Sequence, residues 1–170
     1  MIARLVLSVL LATTASLSGW QPAVSITDYG TYSAVVVVEG NWVLHRPVSI
    51  ASVDELKHLT TTTTIVAQDG TYWGMHVSVE NPSDRSVKVV CKITHPPITT
   101  PDGKTTTEDD SPPFDVNAGQ TAVAESIWFF IKECPYEFVP GKWTMRVTVD
   151  GNAVATKEFN VVKPDPSSPK

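Results

Sequence analysis

In Trp143-Thr144-Met145-Arg146-Val147-Thr148-Val149 the odd positions are apolar and the even ones polar. A period of two belongs to a strand with one face in a core and the other in water. Asp150-Gly151 follows at once, a pair suited to the positive backbone angles of a type I′ turn, so a hairpin returning through Val154–Val162 is expected. The same period places Trp73, Met75, Val77 and Val79 on one face, with Tyr72, His76 and Ser78 outward. Further on, Val87, Val89, Cys91 and Ile93 share a face opposite Lys88 and Lys92. Asn81-Pro82-Ser83-Asp84 is a turn cluster between these two runs.

Runs of β-branched and aromatic residues extend the pattern to Ile26–Val38, Thr60–Val66, Tyr72–Val79, Ser86–His95, Thr121–Ile131, Trp143–Val149 and Val154–Val162. About seven short strands separated by turn signals predict an all-β chain, an antiparallel sandwich of the immunoglobulin-like kind. Ser52-Val53-Asp54-Glu55 matches a capping box and offers a short helix before Leu59. His95 to Gly119, rich in Pro, Thr and Asp, reads as a long connection and as the first place for a binding surface. A single domain over residues 19–162 is expected, with a disordered tail over 163–170.

The first residues change the compartment. Arg4 precedes an apolar stretch from Leu5 to Leu11 and then small residues, the pattern of a secretory signal peptide over residues 1–18, with cleavage after Ala15 or Ser18. Trp20 stands where a lipoprotein box requires cysteine, which excludes lipid anchoring there. No later run approaches the roughly 20 apolar residues of a membrane span. A periplasmic or secreted location follows as an expectation. The formal charge is −5 and the basic residues are scattered, so no nucleic-acid footprint is present. Two cysteines in an exported chain, Cys91 and Cys134, lead to the expectation of a disulfide.

No pattern points to catalysis, a metal or a cofactor. The chain lacks a G-x-S-x-G elbow and a phosphate-binding glycine loop, and His45, His58, His76 and His95 show no ligand spacing. Glu108, Asp109, Asp110 and Asp115 match no calcium loop. The alternative to a binding module is an envelope metal-handling protein or hydrolase. It would require three or more of His45, His58, His76, His95, Asp109 and Asp110 to converge.

Two runs ignore alternation, Val35–Val38 and Ile127-Trp128-Phe129-Phe130-Ile131. A strand apolar on both faces must be covered on both, which makes Trp128, Phe129 and Phe130 candidates for a partner or homodimer surface. Strand addition along an unpaired Val35–Val38 edge is a third route to assembly.

Several blocks in series carry a resemblance: Ile26-Thr27-Asp28-Tyr29-Gly30-Thr31-Tyr32, then Thr64-Ile65, Gly70 and Trp73-Gly74, then His95-Pro96-Pro97 with Gly103-Lys104-Thr105, and last Val139-Pro140-Gly141-Lys142-Trp143 with Lys157-Glu158-Phe159. In these the chain resembles domain of unknown function 3859, a group of exported bacterial proteins. The resemblance implies the fold and transfers no catalytic residue. His95, Pro96 and Pro97, which open the long connection, join the candidate surface. The ligand is left as an unknown protein or envelope component.

Overall fold

The computed structural model describes residues 21–35 and 55–165. Ten strands run in chain order: β1 (Ala23–Val35), β2 (Glu55–Thr60), β3 (Thr64–Val66), β4 (Tyr72–Glu80), β5 (Val87–Thr99), β6 (Thr105–Asp110), β7 (Phe114–Val116), β8 (Thr121–Phe129), β9 (Gly141–Val149) and β10 (Asn152–Val162). They form two sheets, one of four strands in the order β2-β1-β4-β8 and one of six in the order β3-β10-β9-β5-β6 with β7 beside β5. Every pairing is antiparallel except β3 with β10. The expected all-β sandwich is the fold.

Alternation fixes which faces meet. Trp73, Met75, Val77 and Val79 of β4 are buried against Trp143, Met145, Val147 and Val149 of β9. Trp73 meets Trp143 edge to face at 5.4 Å and Phe159 at 5.1 Å. Such offset contacts add to the stabilisation from burial alone. The β9–β10 turn has positive φ at both Asp150 (49°) and Gly151 (80°), as the sequence demanded. Asn81 is fully buried yet satisfied: its Nδ2 donates to the carbonyls of Arg85 and Val116, and its Oδ1 accepts from Ser83. That side chain holds the turn between β4 and β5 to the far end of β7.

Several expectations are corrected. The stretch read as one strand over Thr60–Val66 is divided between β2 and β3, which belong to different sheets. Glu55 to Leu59 is strand, not helix, because it pairs with the end of β1. The connection from His95 to Gly119 is largely strand. β5 runs on to Thr99, and the irregularity between Thr94 and Ile98 accommodates His95-Pro96-Pro97. Pairing of β5 with β9 ends at Thr94, so the two prolines, which have no N–H, interrupt no β9 ladder. At Val35 the strand is paired with Glu55 of β2 on one side, and the pairing of β1 with β4 ends at Tyr32. The expected signal peptide over residues 1–18, Val36–Val38, His45, Ser52–Asp54 and the tail beyond Asp165 lie outside the described residues.

The cysteines are buried thiols, not a disulfide. Cys91 lies within β5 opposite Val147, and its N–H donates to Ser111 Oγ at 2.9 Å. Cys134 lies beyond β8, before a 3-10 turn over Pro135–Glu137, and its Sγ accepts from Tyr136 O–H at 3.4 Å. The two occupy different surroundings, and sequence context alone does not bring sulfurs together. Burial pushes the Cys91 thiol up to about 11, which suppresses its reactive thiolate. Native protein treated with iodoacetamide without reductant should therefore stay unmodified, and unfolded protein should take two labels. Absence of label after unfolding without reductant would contradict the thiol assignment.

Candidate functional site

On the outer face of the four-stranded sheet, two glycines stand side by side. Gly30 of β1 pairs with Gly74 of β4, and both have positive φ, 131° and 152°. A Cβ at Gly30 would come within 1.9 Å of the Thr60 carbonyl oxygen, and one at Gly74 within 2.1 Å of the Ser126 carbonyl oxygen. Both the backbone angle and the close approach of neighbouring strands exclude a side chain here.

Tyr32 uses the space. Asp28, Gly30 and Tyr32 share a side of β1, and Tyr32 O–H donates to Asp28 Oδ1 at 2.6 Å, so its side chain extends back past Gly30. The ring meets His76 at 4.8 Å and His58 at 5.5 Å, both edge to face. Although it faces outward from the sheet, Tyr32 is only 3% exposed. Burial, then the hydrogen bond to Asp28, then the charges of Asp28 and Glu125 push its hydroxyl far above the ordinary tyrosine value.

Two histidines have fixed orientations. His76 Nδ1–H donates to Asp28 Oδ1 at 2.9 Å, leaving Nε2 3.9 Å from Glu125 Oε1 across the β4–β8 pair. His58 Nε2–H donates to the Tyr29 carbonyl at 3.1 Å. A carboxylate on one ring nitrogen sets the tautomer and leaves the other nitrogen as a proton acceptor. Next to this group, Tyr72 stacks on Phe129 with ring centroids 5.4 Å apart, and Ile127 lies half-buried opposite Gly74.

The residues singled out in the sequence do not form one surface. Trp128 and Phe130 point into the core, at 6% and 0% exposure, while Phe129 points outward. Trp128 packs on Trp143 at 5.0 Å. His95 is also interior: its Nδ1–H donates to the Pro96 carbonyl at 2.8 Å, its ring lies 5.0 Å from that of Trp143, and Nε2 is 3.8 Å from Asp109 Oδ2. That last distance is an electrostatic contact too long for a hydrogen bond. Pro96 is half-buried and Pro97 exposed. Trp128, Phe130 and His95 are thus core, because the even positions of β8 and the inner positions of β5 face the opposing sheet.

His58 and His76 lie outside the sandwich, His95 and Asp109 inside it, and Asp110 pairs with Lys92 on the surface. Among the described residues no group of three or more His, Cys, Asp or Glu could hold a metal ion. The convergence that the metal-handling or hydrolase reading requires is not met by these residues. Asp28, Tyr32 and Glu125 escaped the reading of residue chemistry. Their signal was glycine inside two strand patterns, at Tyr29-Gly30 and Trp73-Gly74.

Gly74→Ala should destabilise the fold by about 3 kcal/mol, combining strain and clash. Gly119→Ala, at φ 70° with nothing within 4 Å of the new Cβ, should cost only about 1 kcal/mol. Tyr32→Phe should cost about 1 kcal/mol at neutral pH. Because the folded-state value of Tyr32 lies above the ordinary 10.0, its contribution is whole below that pH and falls progressively as pH rises beyond it toward the higher folded-state value. Urea unfolding at increasing pH should then show a shallower alkaline decline for Tyr32→Phe than for the wild type. Identical slopes would contradict the buried hydroxyl.

An immunoglobulin-like protein from Pseudomonas aeruginosa has the same fold, with a TM-score of 0.56 and 21% identity over 85% of this chain and 99% of that one. An alkylpurine DNA glycosylase from Pseudomonas fluorescens aligns at TM-score 0.42 and 15% identity, over 58% of this chain and 27% of its own. A β-glucosidase from Listeria innocua aligns at TM-score 0.42 and 12% identity, over 85% of this chain and 16% of its own. No curated protein matches the sequence. The sequence itself matches one family across residues 21–161, and with that span the chain belongs to domain of unknown function DUF3859.

Proposed function

We propose that this protein is an exported, non-catalytic immunoglobulin-like module that binds a protein partner of the cell envelope through the outer face of its four-stranded sheet. One observation carries the reading. Tyr32, over paired positive-φ glycines, is buried on the side of the sheet that the sandwich core does not use. Structure of this kind, unneeded for the core, concentrates at sites of function.

The opposite outer face supplies the contrast. On the six-stranded sheet it carries ion pairs, Lys88 with Asp115 at 3.0 Å and Lys92 with Glu108 at 3.2 Å, as an ordinary solvated surface does. The four-stranded sheet offers Tyr72, Phe129 and Ile127 beside the Tyr32–His76 group, a mixture of aromatic area and oriented polar groups typical of interface centres. The leader over residues 1–18 supports a periplasmic or secreted location for that encounter.

Mature protein immobilised and exposed to extract of its own envelope should retain a partner. Tyr72→Ala with His76→Ala should reduce capture roughly tenfold, while Lys92→Ala with Arg146→Ala on the other sheet should not. Equal capture by both variants would contradict the assigned face.

A further inference from the structure

Among the described residues the two sheets end in edge strands that are not alike. β3 is three residues long, β6 ends in Glu108-Asp109-Asp110, and β2 carries Lys57 and a register shift against β1. Short length, charge and irregularity are the devices that keep edges from pairing with another chain. β8 carries only one of them, a single charge at Glu125. It is nine residues long, contains no Pro, Lys or Arg, and pairs with β4 from Thr121↔Glu80 to Phe129↔Tyr72 without a shift.

Its free hydrogen-bonding row can be assigned. Phe130 N–H donates to the Thr71 carbonyl, Gly70 N–H to that of Phe130, and Asn81 N–H to that of Gln120. Even-numbered positions along this strand therefore address β4. The alternation of an antiparallel ladder turns the N–H and C=O groups of Thr121, Val123, Glu125 and Ile127 away from β4, to the side where no strand pairs among the described residues. Val123 is 56% exposed in this row, one of few large apolar side chains so placed.

We propose that β8 pairs antiparallel with β8 of a second copy of this chain, joining two four-stranded sheets into one continuous sheet across a two-fold axis. The pairing must set odd positions against odd positions. Centred on Glu125, it would oppose two like charges, which is unfavourable for a directly facing pair. Centred on Ser126, it sets Glu125 against Ile127 and covers exposed Val123 with Phe129. That register separates the two carboxylates and removes Val123 from water. A two-fold contact of this kind is self-complementary and closes at two chains. It also brings two Tyr32–His76 faces onto one surface, a consequence that goes beyond the proposed partner binding and does not depend on it.

Sedimentation velocity of the purified mature protein over a concentration series, with no partner present, tests the pairing. The wild type should reach a dimer. Val123→Pro removes an N–H that β4 does not use, and Val123→Lys places a charge on the edge. Each variant, checked for its fold by circular dichroism and thermal unfolding, should dimerise at least about tenfold more weakly. Ile127→Lys, which would face Glu125 across the axis, should remain dimeric and acquire a salt-dependent Kd. A wild type that stays monomeric at every concentration would overturn the proposal. So would folded Val123 variants that dimerise like the wild type, or an Ile127→Lys chain that is monomeric at low salt.

Discussion

The contact of Trp143 with Trp73 and Trp128 is the constraint on which the two sheets depend. One indole belongs to the six-stranded sheet and two to the four-stranded sheet, with centroid separations of 5.4 and 5.0 Å. Bulky rings on facing strands set the spacing of the layers and lock the parity of each strand. Because Trp128 must face inward, Phe129 must face outward, and β8 becomes a strand apolar on both sides. The Trp143 indole N–H is satisfied within its own chain, donating to the Val139 carbonyl at 3.0 Å, so the bend at Pro140-Gly141 and the core are one arrangement.

The same parity accounts for the division of labour between the faces of the four-stranded sheet. Its inner face is continuous apolar packing from Trp73 to Val79. Its outer face is where the strands carry glycine at facing positions, and the resulting gap is occupied by one tyrosine oriented by an aspartate. Removing side chains from a sheet normally weakens it, and here the loss is offset by Tyr32, whose ring reaches from the His58 row to the His76 row. The fixed groups on this face, Asp28, Tyr32, His58 and His76, are all carried on strands.

Strands with uninterrupted parity were legible in the sequence. β4, β9 and the β9–β10 turn follow from alternation and from Asp150-Gly151 alone. β1 was legible as a strand, but its faces were not, because a register shift between Ile26 and Asp28 puts Thr27 out of step and reverses the parity that follows. Asp28 and Tyr32 could not be placed together without that knowledge. β6 was hidden by its acids, which suit a solvated edge as well as a loop. The expected disulfide failed for a different reason: compartment and cysteine number indicate that a bond is chemically permitted, whereas only the fold decides whether two sulfurs meet. His95-Pro96-Pro97, read as the entrance of a long connection, lies instead within β5, at an irregularity that the prolines accommodate and with the histidine turned inward.

The central claim is that β8 presents its even positions to the core and its odd positions to an outer face that folding does not require. Equilibrium unfolding of Trp128→Ala and Phe129→Ala, adjacent aromatic residues of opposite orientation, tests it most directly. Trp128→Ala should lose about 3–5 kcal/mol or fail to fold, whereas Phe129→Ala should remain folded and lose no more than about 2 kcal/mol. Equal losses for the two, or a larger loss at Phe129, would contradict the account.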